Sequence, residues 1–101
     1  METKHTTMAV KTLEGGVEVI YTNAVEQEYP IVFTIMSDNP ISNVKINNTL
    51  EANINYGKSS IVTIPTNNKT PGVYYYTINY TIDGYSYTST IEVYVIDKEN
   101  F

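Results

Sequence analysis

The chain contains no cysteine, no tryptophan and no arginine. Without thiols it has no disulfide, zinc–thiolate site, iron–sulfur cluster or cysteine nucleophile, so it must hold together by packing alone or with help from neighbours in an assembly. Six lysines against eleven acidic residues leave a net charge of −5, and no basic run interrupts that balance. Phosphate backbones are bound by clustered Lys and Arg and guanine is read by Arg, so no nucleic-acid partner is expected. The same charge argues against docking on an anionic membrane face. Leucine occurs only at Leu13 and Leu50 and alanine only at Ala9, Ala24 and Ala52, which removes helical bundles and coiled coils from consideration. Apolar windows are broken every two or three residues, too often for a membrane-spanning helix. Met1-Glu2-Thr3-Lys4-His5-Thr6-Thr7 carries neither the basic segment nor the apolar stretch of a secretory leader. The expectation is a cytosol-made chain or a module cut from a larger protein.

What is present is β-forming. Val, Ile, Thr, Tyr and Phe fill nearly half of the 101 positions, and the chain is one domain's worth of length. Thr7 to Leu13 alternates weakly and Glu14-Gly15-Gly16 turns it into Val17-Glu18-Val19-Ile20-Tyr21. The following stretch is polar until Tyr29-Pro30. Ile31 to Met36 reads as a covered central strand, ended by the turn signal Ser37-Asp38-Asn39-Pro40. Short strands follow near Val44-Lys45-Ile46, from Leu50 to Tyr56 and at Ile61 to Ile64. Val73–Ile82 and Tyr85–Ile96 then alternate at length around Asp83-Gly84, a favoured two-residue hairpin turn. Seven to eight strands with regular turn signals predict an all-β antiparallel sandwich without a disulfide. Residues 1–16 are expected as an N-terminal arm or edge hairpin strand, and 17–101 as the sandwich.

Pro71-Gly72-Val73-Tyr74-Tyr75-Tyr76 resembles the start of strand F in immunoglobulin-like (Ig-like) domains, where Gly-x-Tyr sets a tyrosine at the corner before the strand. Tyr29 to Ile46 resembles strands B and C of bacterial and phage Ig-like modules, and the likeness covers roughly residues 17–96. The resemblance implies a structural corner at Gly72, Tyr74 and Tyr76. Tyr74 would bond backbone upstream, and Tyr76 would fill the place that a disulfide cysteine takes in antibody domains. It also implies the company such modules keep: capsid decoration proteins, baseplate and tail components, and bacterial surface adhesins.

Residues that carry chemistry are few. His5, the only histidine, has no second histidine or thiol to work with. Asp38, Asp83 and Asp97 fall at turns or strand ends without the spacing of a calcium loop. Glu26 and Glu28 read as carboxylates on a solvated, polar stretch with no apolar pocket to raise a pKa. Asn47-Asn48-Thr49, Asn68-Lys69-Thr70 and Asn79-Tyr80-Thr81 match the glycosylation pattern, as eleven Asn and fourteen Thr make expected by chance. No catalytic, cofactor or metal residue is assigned. The expected function is a non-enzymatic structural or interaction module, a phage virion component assembled in the host cytoplasm and docking through β surfaces on protein subunits, its own copies included. Met8, Val10 and Leu13, with Tyr94 and Ile96, are the candidate interface; apolar groups at Val32 and Met36 also fall on the expected outer side. Lys11, Lys45, Glu18 and Glu51 are candidate guards of the sheet edges. The alternative is an adhesion or carbohydrate-binding module of a bacterial cell surface, with Tyr75 and Tyr85 facing a glycan.

Overall fold

Asp83 and Gly84 adopt φ of 51° and 83°, both positive as a type I′ turn requires, and the two longest strands close on each other around them. The computed structural model describes residues 6–47, 49–54 (backbone only), 58–66 and 69–97. It contains β1 (Thr6–Leu13), β2 (Val17–Glu26), β3 (Ile31–Ser37), β4 (Ile41–Ile46), β5 (Thr49–Ile54), β6 (Ser59–Ile64), β7 (Gly72–Ile82) and β8 (Tyr85–Ile96). The all-β expectation holds. No helix among the described residues is long and apolar enough to cross a membrane.

All eight strands belong to one hydrogen-bonded sheet in the order β5-β4-β7-β8-β2-β3-β6, with β1 paired on β2. This corrects the expectation of two separate antiparallel sheets: there is a single mixed sheet, curled into a half-barrel. The reason lies in β2. Its first half, Val17 to Tyr21, pairs antiparallel with β3, whereas Ala24 to Glu26 runs parallel to Tyr94–Ile96 of β8. The stretch after Tyr21, expected as polar connection, is therefore strand.

Thr22 sits where β2 changes partner. Once the β2–β3 ladder stops at the Tyr21–Phe33 pair, the Val32 N–H has lost its backbone acceptor. The Thr22 hydroxyl, fully buried, accepts it at 2.9 Å and donates to Met8 Sδ at 3.5 Å. On the β1 side the register runs from Met8–Thr22 to Thr7–Ala24, leaving Asn23 as an extra residue, and a bulge of this kind bends a strand and raises its twist. Thr7 Oγ1 donates to Asn23 Oδ1 at 2.8 Å across that bulge. The Gln27 N–H, bonded to Ile96 C=O at 2.9 Å, continues the parallel contact.

The curl brings β3 over β7, two strands that are not neighbours in the sheet. Phe33 meets Tyr76 edge-to-face with ring centroids 5.5 Å apart. Around that pair one core forms from alternate residues: Val17 and Val19, Ile31 and Ile35, Ile78, Ile91 and Val93, all essentially without solvent exposure. Each such side chain contributes about 1.5–3 kcal/mol by leaving water. Leu13 belongs here too, because pairing with Val17 turns it inward. That corrects its assignment to an exposed interface.

Side chains tie the loops at both ends. Thr66, buried, accepts the Glu28 N–H and donates to Tyr29 C=O, both at 2.8 Å. Tyr74 donates to Thr70 C=O at 2.5 Å, the upstream backbone bond expected of a corner tyrosine, and Lys69 lies 5.0 Å over its ring. Gly72 opens β7, and a Cβ there would touch nothing within 4 Å, so packing does not demand glycine. At the opposite end Asn39 Nδ2 donates to Gly15 C=O at 2.9 Å and Tyr80 to Glu14 C=O at 3.0 Å.

Thr22→Val removes the acceptor for a part-buried amide and is predicted to lower unfolding free energy by about 1–3 kcal/mol in urea denaturation, while Thr22→Ser, which keeps the hydroxyl, loses less.

Candidate functional site

Side chains of paired strands share a face, so the registers give the surface directly. In the β1-β2-β3-β6 half, Val10 pairs with Ile20, Ile20 with Thr34, and Thr34 with Ile61. This row lies on the side away from the core. Val10 and Ile61 are 60% and 67% exposed, and Ile20 and Thr34 are half-buried. Met8, Val32 and Met36 flank it on the same side, and the next row, Thr12–Glu18–Met36–Ser59, brings one charge, Glu18. Beside it a groove of about 390 Å³ is bordered by Thr12, Glu18, Met36, Asp38, Lys58 and Ser59. An apolar stripe four strands wide, rimmed by charge at one end, is the most distinctive surface of the described residues.

The outer face of the β7–β8 half has different chemistry. Thr77–Thr90, Asn79–Thr88 and Thr81–Ser86 make it polar over most of its length. It turns apolar at one end, where Val73 pairs with Tyr94 and Ala24 continues the row, with exposed Tyr75 and Ile96 alongside. The Tyr94 hydroxyl donates to Glu92 Oε1 at 3.0 Å. That bond, reinforced by the carboxylate's charge, holds the phenol's pKa above its ordinary value of 10.0.

The candidate residues thus divide between two surfaces. Met8 and Val10 belong to the first, Tyr94 and Ile96 to the second, and Leu13 to neither. Tyr75 and Tyr85 are both exposed but are not brought together: their β7 positions lie seven residues apart, roughly 24 Å along the strand, and on opposite faces. Glu26 is buried at the end of β2, not solvated as expected, while Glu28 is exposed in the turn with φ of 80°. Glu18 and Lys45 lie on strands flanked on both sides, so they guard no edge. Asn47 Oδ1 accepts the Thr77 N–H and Asn79 Oδ1 accepts the Thr88 hydroxyl, giving both side chains structural work. His5, Asn48, Asn68 and the Glu51 side chain lie outside what the structure describes.

Among the described residues no three His, Asp or Glu side chains are grouped to hold a metal ion. Asp38 and Asp83 sit in turns and Asp97 follows β8. Ile20 and Ile61 were not singled out by sequence. Ile20 could be found by counting back from the Gly15-Gly16 turn to Val10, but Ile61 joins the row only through the β3–β6 pairing, which nothing local specifies.

The Tyr94 pKa is raised in the fold, so its contact with Glu92 adds stability in full below about pH 10, and that contribution is lost as pH rises through the folded midpoint. Glu92→Gln is predicted to bring the Tyr94 midpoint down, read by NMR of its ring ¹³Cζ; an unchanged midpoint would deny the interaction.

No protein-family model matches the chain, and no significant match links it to a curated protein or to a solved structure.

Proposed function

We propose that this chain is a non-enzymatic interaction module that docks on protein through the outer face of β1, β2, β3 and β6. One observation carries the reading: the Val10–Ile20–Thr34–Ile61 row, with Met8, Val32 and Met36, presents an apolar stripe to solvent on a chain whose net charge is −5. A surface of this composition is covered in its working state, because exposed contiguous apolar area favours association. The groove beside it offers a place for a partner side chain, with Lys58 and the carboxylates Glu18 and Asp38 at its border.

The fold reading that accompanies this is Ig-like strand connectivity, with β2 as the strand that crosses from β3 to β8. The Tyr74 bond to Thr70, the packing of Tyr76 on Phe33 and the parallel β2–β8 contact support it. On that reading the chain's setting is a virion: a capsid decoration protein or a baseplate or tail component, assembled in the host cytoplasm, where neither export nor disulfide oxidation is needed. Exposed Tyr75 favours a second reading, a surface adhesion module that stacks a sugar there.

Two experiments separate them. Density-gradient sedimentation of phage particles from a strain encoding the chain is predicted to carry it with the particles. Val10→Asp with Ile61→Asp, both exposed and so costing within about 0.5 kcal/mol each in stability, abolishes that co-sedimentation. Absence of the chain from particles, together with glycan-array binding lost in Tyr75→Ala, would replace the virion reading with the adhesion one.

A further inference from the structure

Among the described residues, nothing pairs with the backbone groups on the outer edge of β1. Along an antiparallel strand, successive residues direct N–H and C=O to opposite sides. The Val32 N–H reaches Thr22, so Val32, Thr34 and Met36 direct theirs towards β2. Their partners Ile20 and Glu18 therefore face β3, consistent with Gly16 C=O accepting the Asp38 N–H at 3.2 Å. Val19 and Tyr21 then face β1, pairing with Lys11 and Ala9. Met8, Val10 and Thr12 are left pointing outward, and among the described residues no strand pairs with that side of β1.

Proteins blunt exposed edges with an outlying lysine, a proline or a bulge. β1 has no proline, and the extra residue of the β1–β2 ladder, Asn23, lies on β2. Lys11 is the strand's one charge, and its ammonium is turned aside to Thr90 C=O on β8 at 3.0 Å. The same bond occupies a carbonyl on the part of β8 that precedes its pairing with β2, whereas among the described residues the outward side of β1 has no strand beside it.

We infer that β1 pairs with β1 of a second copy, antiparallel about a two-fold axis at Val10. This register sets Val10 opposite Val10, Met8 opposite Thr12 and Ala9 opposite Lys11, so no charge meets a like charge. The outward N–H and C=O groups of Met8, Val10 and Thr12 then all find partners. The Val10–Ile20–Thr34–Ile61 rows of the two copies join at Val10 into one stripe, continuous with the proposed docking face. The inference rests on the edge of β1 alone and does not depend on what that face binds. Since each copy carries −5, salt strengthens the pairing by screening repulsion between copies.

Sedimentation equilibrium of the full chain tests it. A monomer–dimer equilibrium that tightens with salt is expected. Val10→Pro removes only an N–H aimed at solvent in the single copy, so the chain keeps its circular-dichroism spectrum while the dimer weakens about thirtyfold for the two hydrogen bonds lost. Val10→Cys supplies the chain's one thiol at the two-fold, where Cα atoms of a hydrogen-bonded pair lie about 5.5 Å apart, within disulfide range. It is expected to cross-link under mild oxidation far faster than Ile61→Cys, which is at least as exposed. A wild-type chain that stays monomeric at every concentration and salt, a folded Val10→Pro that dimerises as wild type does, or equal cross-linking of the two cysteine variants would overturn the inference. Should Val10→Pro not fold, the cysteine pair decides alone.

Discussion

The hydrogen bond from the Val32 amide to the buried Thr22 hydroxyl marks the place on which the architecture turns. A strand that leaves one neighbour for another must abandon backbone groups on the strand it leaves, and a buried amide without an acceptor is costly. Thr22 supplies that acceptor from a side chain, and the extra residue at Asn23 supplies the bend. With both in place, β2 can serve β3 over its first half and β8 over its second. One sheet then wraps around a single core, and Phe33 can rest on Tyr76 from the facing side. The Thr66 hydroxyl does a related task nearby, satisfying both an amide and a carbonyl of the turn that carries the chain from β2 into β3.

Much of this is legible in the residues because much of it is local. The β7–β8 hairpin follows from strict alternation on either side of Asp83-Gly84, and the first hairpin from Gly15-Gly16. The inward set Ile31, Phe33 and Ile35 follows from a period of two. What the sequence conceals depends on pairing between distant segments. Asn23 to Glu26 has no alternation to mark it as strand; it is one because the end of β8 offers an edge to run along. Glu26 reads as solvated from its carboxylate and is buried at the far end of the crossing strand. Leu13 reads as an exposed anchor until its pairing with Val17 fixes which way it faces. The expectation of two separate sheets fails for the same reason, since the crossing of β2 is not written in any single segment.

The surfaces follow from the same registers. Once β1 and β6 flank β2 and β3, Val10, Ile20 and Ile61 must share a row, although they come from three separate parts of the chain. The opposite outer face is built mostly from Thr, Ser and Asn, and its aromatic groups gather at one end. An acidic chain with one apolar outer face and one polar outer face has a preferred side for association. The β1 edge borders the apolar one.

Amide hydrogen exchange followed by NMR tests the central claim most directly, because the crossing of β2 makes two amides depend on it. Val32, bonded to Thr22, and Gln27, bonded to Ile96, are predicted to be protected as strongly as the core amides of β3 and β8. Free exchange at both positions, with the rest of β3 and β8 still protected, would contradict the crossing: β2 would then not join the two halves of the sheet.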